Sequence, residues 1–140
     1  MVPTKSSPPI PDRAVPAVYA YSSDAVPAPY VTADLALPGD PDAVVQLPAL
    51  IDTGADRTIV PEFVPGRLGA TPAGQKPMEG FSGPAVSLPL YWLQVRIHGL
   101  PATDVLVAAC QTEPYILLGR DVLNAFRIVL DGPSLRLELE

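Results

Sequence analysis

Nineteen prolines spread along the 140-residue sequence constrain its fold more than any other feature. Proline lacks a backbone N–H and clashes inside a helix, so this distribution is incompatible with long helices. Hydrophobic residues make up 48% of the chain and aromatic residues 6%, which favours strands around a core of Val, Leu, Ile and Ala. The length suits one domain. We therefore predict a single, mostly antiparallel all-β domain with few and short helices.

Charge and cysteine content exclude several classes of function. A formal net charge of -6 without a basic cluster argues against nucleic acid as a partner, since phosphate binding requires a basic surface. Cys110 is the single cysteine, so one chain can form neither a disulfide nor a cysteine zinc site. We expect no metal or organic cofactor. Without an apolar leader or a membrane-length apolar run, we also expect a cytoplasmic protein that does not bind a membrane.

The alternation of apolar and polar residues divides the chain into two parts. Residues 1–29 are rich in Pro, Ser and Ala without periodicity, which predicts a flexible N-terminal arm preceding a domain at residues 30–140. Helical spacing of Val122, Leu123 and Phe126 predicts one short helix near residues 120–126. Strands are predicted by alternation or by short apolar runs at residues 31–37, 45–51, 91–98, 104–110, 115–118, 128–130 and 135–139.

The tripeptide Asp52-Thr53-Gly54 follows directly on an apolar strand. An Asp in such a turn can simply stabilise it by bonding to the following amides. A buried strand that delivers a carboxylate to a turn also suits a reactive acid, because desolvation opposes its ionisation. Peptide hydrolysis by carboxylates needs two of them close together, one accepting a proton from water and the other polarising the carbonyl. A twofold axis between two identical chains would supply the second carboxylate.

Two segments, ALIDTGADRTIVP and YILLGRDVLNAF, resemble the signature segments of the retropepsin-like aspartic protease superfamily. The resemblance covers about residues 30–140. It implies a closed, β-barrel-like acid protease fold with one short C-terminal helix, working as a C2 homodimer on polypeptide substrates. It implies that Asp52 is the catalytic acid, that Thr53 bonds across the dimer axis, and that Gly54 faces the substrate.

The resemblance also assigns roles to residues around the tripeptide. Ala55 and Asp56 are expected to contact substrate, and Arg120 is expected to pair with Asp56 in a partly buried salt bridge. The second segment supplies structural support beside the catalytic loop through Leu117, Leu118 and Gly119.

A substrate-covering flap is expected at Gly80, Phe81, Ser82 and Gly83, where two glycines would make a flexible hairpin tip. Phe81 would cover the bound peptide, or it could instead face the core. The tip lacks the Gly-Gly pair typical of retroviral members, which leaves substrate preference open.

Two further expectations concern the dimer and the function. The alternating C-terminal strand is a candidate for an intersubunit sheet. The alternative to an aspartic endopeptidase is a catalytically silent module of the same fold, used for dimerisation or peptide binding. The lone His98 and Cys110 lack the partners that a metal site or a catalytic triad requires.

Overall fold

The structure is a computed structural model that describes residues 16–78 and 86–140. Within these residues the chain forms ten strands and two short helices. Their bounds in chain order are β1 (Ala17–Ala20), β2 (Tyr30–Leu37), β3 (Asp40–Ile51), β4 (Ile59–Pro61), α1 (Phe63–Leu68), β5 (Gly74–Met78), β6 (Val86–Ile97), β7 (Thr103–Cys110), β8 (Ile116–Leu118), α2 (Arg120–Leu123), β9 (Ile128–Asp131) and β10 (Arg136–Leu139).

Six strands close into a barrel in the order β2-β3-β8-β4-β7-β6, and a pairing between β2 and β6 completes the ring. The length of β6 makes the closure possible, because its residues 94–97 pair with β2 while residues 90–95 pair with β7. β5 lies outside the ring and pairs with the first part of β6. The predicted all-β closed barrel is therefore confirmed.

The core lies inside this barrel and is aliphatic, as the composition predicts. Successive side chains of a strand point to opposite faces, so each strand contributes every second residue. Leu35, Leu93 and Val107 are completely buried in this way. A core of such branched chains stabilises the fold by roughly 1.5–3 kcal/mol for each fully buried side chain.

A separate three-stranded sheet has the order β1-β10-β9. The absence of regular structure predicted for residues 1–29 is therefore wrong for Ala17–Ala20, which pairs with β10. The C-terminal strand, a predicted candidate for an intersubunit sheet, has both of its edges paired within the chain, so β1 and β9 form the free edges of this sheet. Leu137 and Leu139 are fully buried against the barrel core, which fixes the sheet in place.

Two helices are present where the sequence predicts one. α2 is confirmed at the start of the predicted segment, although it ends at Leu123. α1 is new: Val64 and Leu68 are buried one turn apart, and Gly69, with a positive φ of 71°, ends the helix. Pro65 is tolerated because it lies in the first turn, where N–H groups have no helical partner. In the described part of the chain, no helix is long and apolar enough to cross a membrane.

Candidate active site

The two segments singled out by sequence lie side by side at one end of the barrel. β3 runs parallel to β8, with Ile51 opposite Leu118. The Asp52 N–H extends this ladder by donating to the Leu118 carbonyl at 3.0 Å. The predicted proximity of Leu117, Leu118 and the Asp52 loop is thus found in the fold.

Arg120 holds the Asp52 loop from the other side. Its backbone N–H donates to the Ala55 carbonyl at 2.9 Å, and its Nη1 donates to the Thr53 carbonyl at 2.7 Å. The predicted salt bridge between Arg120 and Asp56 is absent. The guanidinium instead bonds to a loop carbonyl that has no strand partner, while the Asp56 side chain is exposed to solvent. Arg120 therefore supports the loop, but through the backbone of Thr53.

A buried network that sequence reasoning missed joins the two segments. Thr58 is completely buried, and its N–H and hydroxyl donate to the Asp121 carboxylate at 3.0 and 2.7 Å. Its Oγ1 in turn accepts the Gly119 N–H at 3.1 Å, and the Val122 N–H donates to Asp121 at 2.9 Å. A buried hydroxyl requires such partners, since an unpaired one costs about 1–3 kcal/mol. The sequence signal for this network is that Thr58 and Asp121 lie in the two segments that resemble the family's signature segments.

Gly119 allows the segments to approach this closely. A Cβ atom at this position would lie 2.6 Å from the backbone carbon and 2.8 Å from the carbonyl oxygen of Arg57. No side chain can be accommodated at such distances against backbone atoms. The supporting role assigned to Gly119 therefore has a steric reason in the fold.

The Asp52 side chain is partly buried, and the neighbouring Thr53 and Gly54 are exposed. Asp52 Oδ1 accepts the Gly54 N–H at 3.2 Å, and the Asp52 carbonyl accepts the Ala55 N–H at 3.2 Å. These bonds form a turn that orients the carboxylate at the surface of the single chain.

A row of apolar side chains shares the outer sheet face with Asp52. Tyr30 pairs with Leu50, Leu50 with Leu117, and Leu117 with Ile59, so the four side chains lie on one face across four strands. All four are partly exposed, whereas Ile51 on the other face is buried. Asp52 follows Leu50 by two positions, which directs it to the same side. The site thus combines a carboxylate with a neighbouring row of partly exposed apolar side chains.

Tyr30, one member of this row, forms an aromatic pair with Tyr115. The rings of Tyr30 and Tyr115 meet edge to face, with 5.2 Å between centroids and an interplanar angle of 83°. Burial, together with a hydrogen bond to Tyr115, raises the pKa of Tyr30 to about 12. The Tyr30 hydroxyl therefore stays neutral at ordinary pH.

The predicted flap is described in part. β5 and β6 form an antiparallel hairpin with Met78 opposite Val86, which confirms a hairpin at this place. Its tip, with Gly80, Phe81, Ser82 and Gly83, lies outside the described residues. Among residues 16–78 and 86–140, no group of three His, Cys, Asp or Glu side chains could hold a metal ion.

Three of the solved structures that share this fold are proteases or include one. A retropepsin-like aspartic protease from Rickettsia conorii matches with a TM-score of 0.62 at 17% identity, over 89% of this chain and 90% of that one. The EIAV protease, in complex with an inhibitor, matches with a TM-score of 0.50 at 20% identity, over 74% of this chain and 92% of the other.

A foamy viral protease-reverse transcriptase, in complex with an RNA/DNA hybrid, matches with a TM-score of 0.52 at 15% identity. The match covers 69% of this chain and 12% of that much longer one. No protein-family model and no curated protein matches the sequence. The chain therefore has the fold of the retropepsin-like aspartic proteases.

Proposed function

We propose that this protein is an aspartic endopeptidase, active as a homodimer in which Asp52 of each copy forms one catalytic pair. The observation that carries the proposal is the Asp52 loop itself. It presents one carboxylate per chain, braced by Leu118 and Arg120, on an exposed turn of a fold that is shared with aspartic proteases. One carboxylate cannot act as both acid and base in the same step, so a second copy is needed.

In the proposed pair, the two carboxyl groups share one proton because two like charges about 3 Å apart cannot both ionise. The ionised group takes a proton from water, whose oxygen attacks the peptide carbonyl carbon. The protonated group donates a hydrogen bond, and then its proton, to the carbonyl oxygen. Collapse of the tetrahedral intermediate breaks the C–N bond, and a proton passes to the leaving nitrogen.

The proposed substrate is an extended polypeptide. The apolar row beside Asp52 supports a preference for apolar side chains next to the cleaved bond, since their burial there removes them from water. Gly54, Ala55 and Asp56 are proposed to contact the peptide backbone, with the flap tip covering it from the other side. The single cysteine is consistent with the proposed cytoplasmic location.

The Asp52→Asn substitution tests the assignment, because it keeps the size of the side chain but removes the titratable group. Cleavage of an unstructured protein such as casein should fall by roughly 10³-fold or more, with an unchanged circular dichroism spectrum. Asp42→Asn is the matched control, since Asp42 is an exposed acid on β3, the strand that leads to Asp52. It should retain full activity. Equal activity of Asp52→Asn and the unsubstituted protein would refute the proposal.

A second experiment tests whether proteolytic activity requires the homodimer. Specific activity should rise with enzyme concentration in the range where sedimentation shows monomers assembling into dimers. A mixture of unsubstituted chains with an excess of Asp52→Asn chains should lose activity, because mixed dimers hold an incomplete pair. A strictly monomeric protein with full activity would contradict the proposal. A dimer that cleaves nothing would favour the silent binding module.

A further inference from the structure

A cleft on the outer surface lies next to the Asp52 loop and is not used by the proposed mechanism. Its lining includes Asp56, Arg57, Trp92, Asp104 and Asp121. It opens between the loop that follows the catalytic tripeptide, the β6–β7 hairpin and the beginning of α2. Asp56 connects it to the proposed active site.

The β6–β7 hairpin forms one wall of the cleft. Trp92 pairs with Leu106, and Asp104 precedes Leu106 by two positions, so these side chains share the outer face of the hairpin. The Trp92 side chain is 52% exposed, which is unusual for so large an apolar group. It therefore presents a broad aromatic surface at the edge of the cleft.

The charges of the cleft are unbalanced. Three aspartates and one arginine line it, and the Arg57 Nη1 donates to the Leu106 carbonyl at 2.6 Å. Arg57 forms no salt bridge with these carboxylates. Asp121 is already bonded to Thr58, whereas Asp56 and Asp104 are exposed and have no partner among the described side chains. Two carboxylates thus remain available to a ligand.

We propose that this cleft binds a basic side chain, Lys or Arg, of the polypeptide that the active site cleaves. A cation between free carboxylates and an exposed indole gains both ion-pair and cation–π interactions. This inference rests on the proposed function and adds a substrate class to it.

The position of the basic residue follows from chain length. Asp56 follows Asp52 by four positions, which limits the distance between their Cα atoms to about 15 Å. An extended peptide covers that distance in about five residues. The basic residue should lie within about five positions of the cleaved bond.

Binding to the full-length Asp52→Asn variant tests the inference without relying on cleavage. The probes are nine-residue peptides of Ala and Val that carry one Arg, moved along the peptide, and matching peptides with neutral citrulline. At the favoured position, Arg should bind about fivefold more tightly than citrulline, and added salt should reduce the difference. Adding Asp104→Asn or Trp92→Ala should abolish most of it. Asp42→Asn, which removes an equal charge elsewhere, should not.

Several results would overturn the inference. They are equal binding of Arg and citrulline peptides, a preference retained in both cleft variants, or a loss in Asp42→Asn as large as in Asp104→Asn. The last result would assign the effect to overall negative charge. Failure of the proposed function is measured separately, as absence of cleavage by the unsubstituted protein.

Discussion

The Asp52 loop and the three-stranded sheet both join distant parts of the chain, but different forces hold them. Around the loop, Thr58, Gly119 and Asp121 make buried hydrogen bonds and approach the neighbouring backbone closely. The sheet of β1, β10 and β9 is a backbone ladder fixed by the buried Leu137 and Leu139. The other face of this sheet is turned to solvent, and Val18 on it is half exposed.

This difference teaches where the fold tolerates change. Buried polar groups and close backbone contacts require particular atoms at particular places. A buried group that loses its hydrogen-bond partner, or an atom that overlaps the backbone, destabilises the fold directly. The buried apolar face of the sheet requires side chains of the right volume. The exposed face of the sheet tolerates most substitutions. The region around Asp52 should therefore be sensitive to single atoms, and the sheet to the size of its buried side chains.

The largest expected effect is that of Gly119→Ala. The new methyl group would overlap three backbone atoms of Arg57, which cannot move as a side chain can. We expect a loss of about 4 kcal/mol or more in unfolding free energy, above the usual overpacking cost of about 1–3 kcal/mol. Gly132→Ala is the matched control, because nothing lies within 4 Å of its Cβ position. Urea denaturation that found both variants equally stable would contradict the close approach.

Leu137→Ala should have the next largest effect. Leu137 is completely buried, and its truncation should cost about 3 kcal/mol through lost apolar contact and the cavity that remains. The adjacent Glu138 lies on the other face of β10, so Glu138→Ala should change stability by less than about 0.5 kcal/mol. Thermal unfolding measures both. A similar loss in the two variants would show that the ladder, not the buried leucine, holds the sheet.

Thr58→Val should have the smallest of these effects. Valine preserves the shape of threonine but leaves the Gly119 N–H without its acceptor, which should cost about 2 kcal/mol. Thr58→Ser keeps the hydroxyl and loses one methyl group, so it should be less harmful and should preserve proteolytic activity. If Thr58→Ser proved more destabilising than Thr58→Val, the methyl group of Thr58 would matter more than its hydroxyl. That result would contradict the conclusion that hydrogen bonds hold this region.

Local patterns predicted much of this fold correctly. Alternation located the strands β2, β3, β6 and β10, because a half-buried strand has a period of two residues, and an apolar run located β7. The two motif segments were correctly expected to meet near Asp52. Alternation could not reveal β1, which has only four residues within a proline-rich stretch, or the short helix α1, which contains Pro65 and Gly66.

The sequence by itself determined that the chain forms strands, that its core is aliphatic, and that Asp52 follows directly on an apolar strand. Tertiary structure alone decided that β10 is paired on both edges, that Arg120 bonds to Thr53 and not Asp56, and that Trp92 and Asp104 share a cleft. The reason is physical: periodicity and composition act within a few residues. Hydrogen-bond partners are instead chosen among groups that only the folded chain brings together.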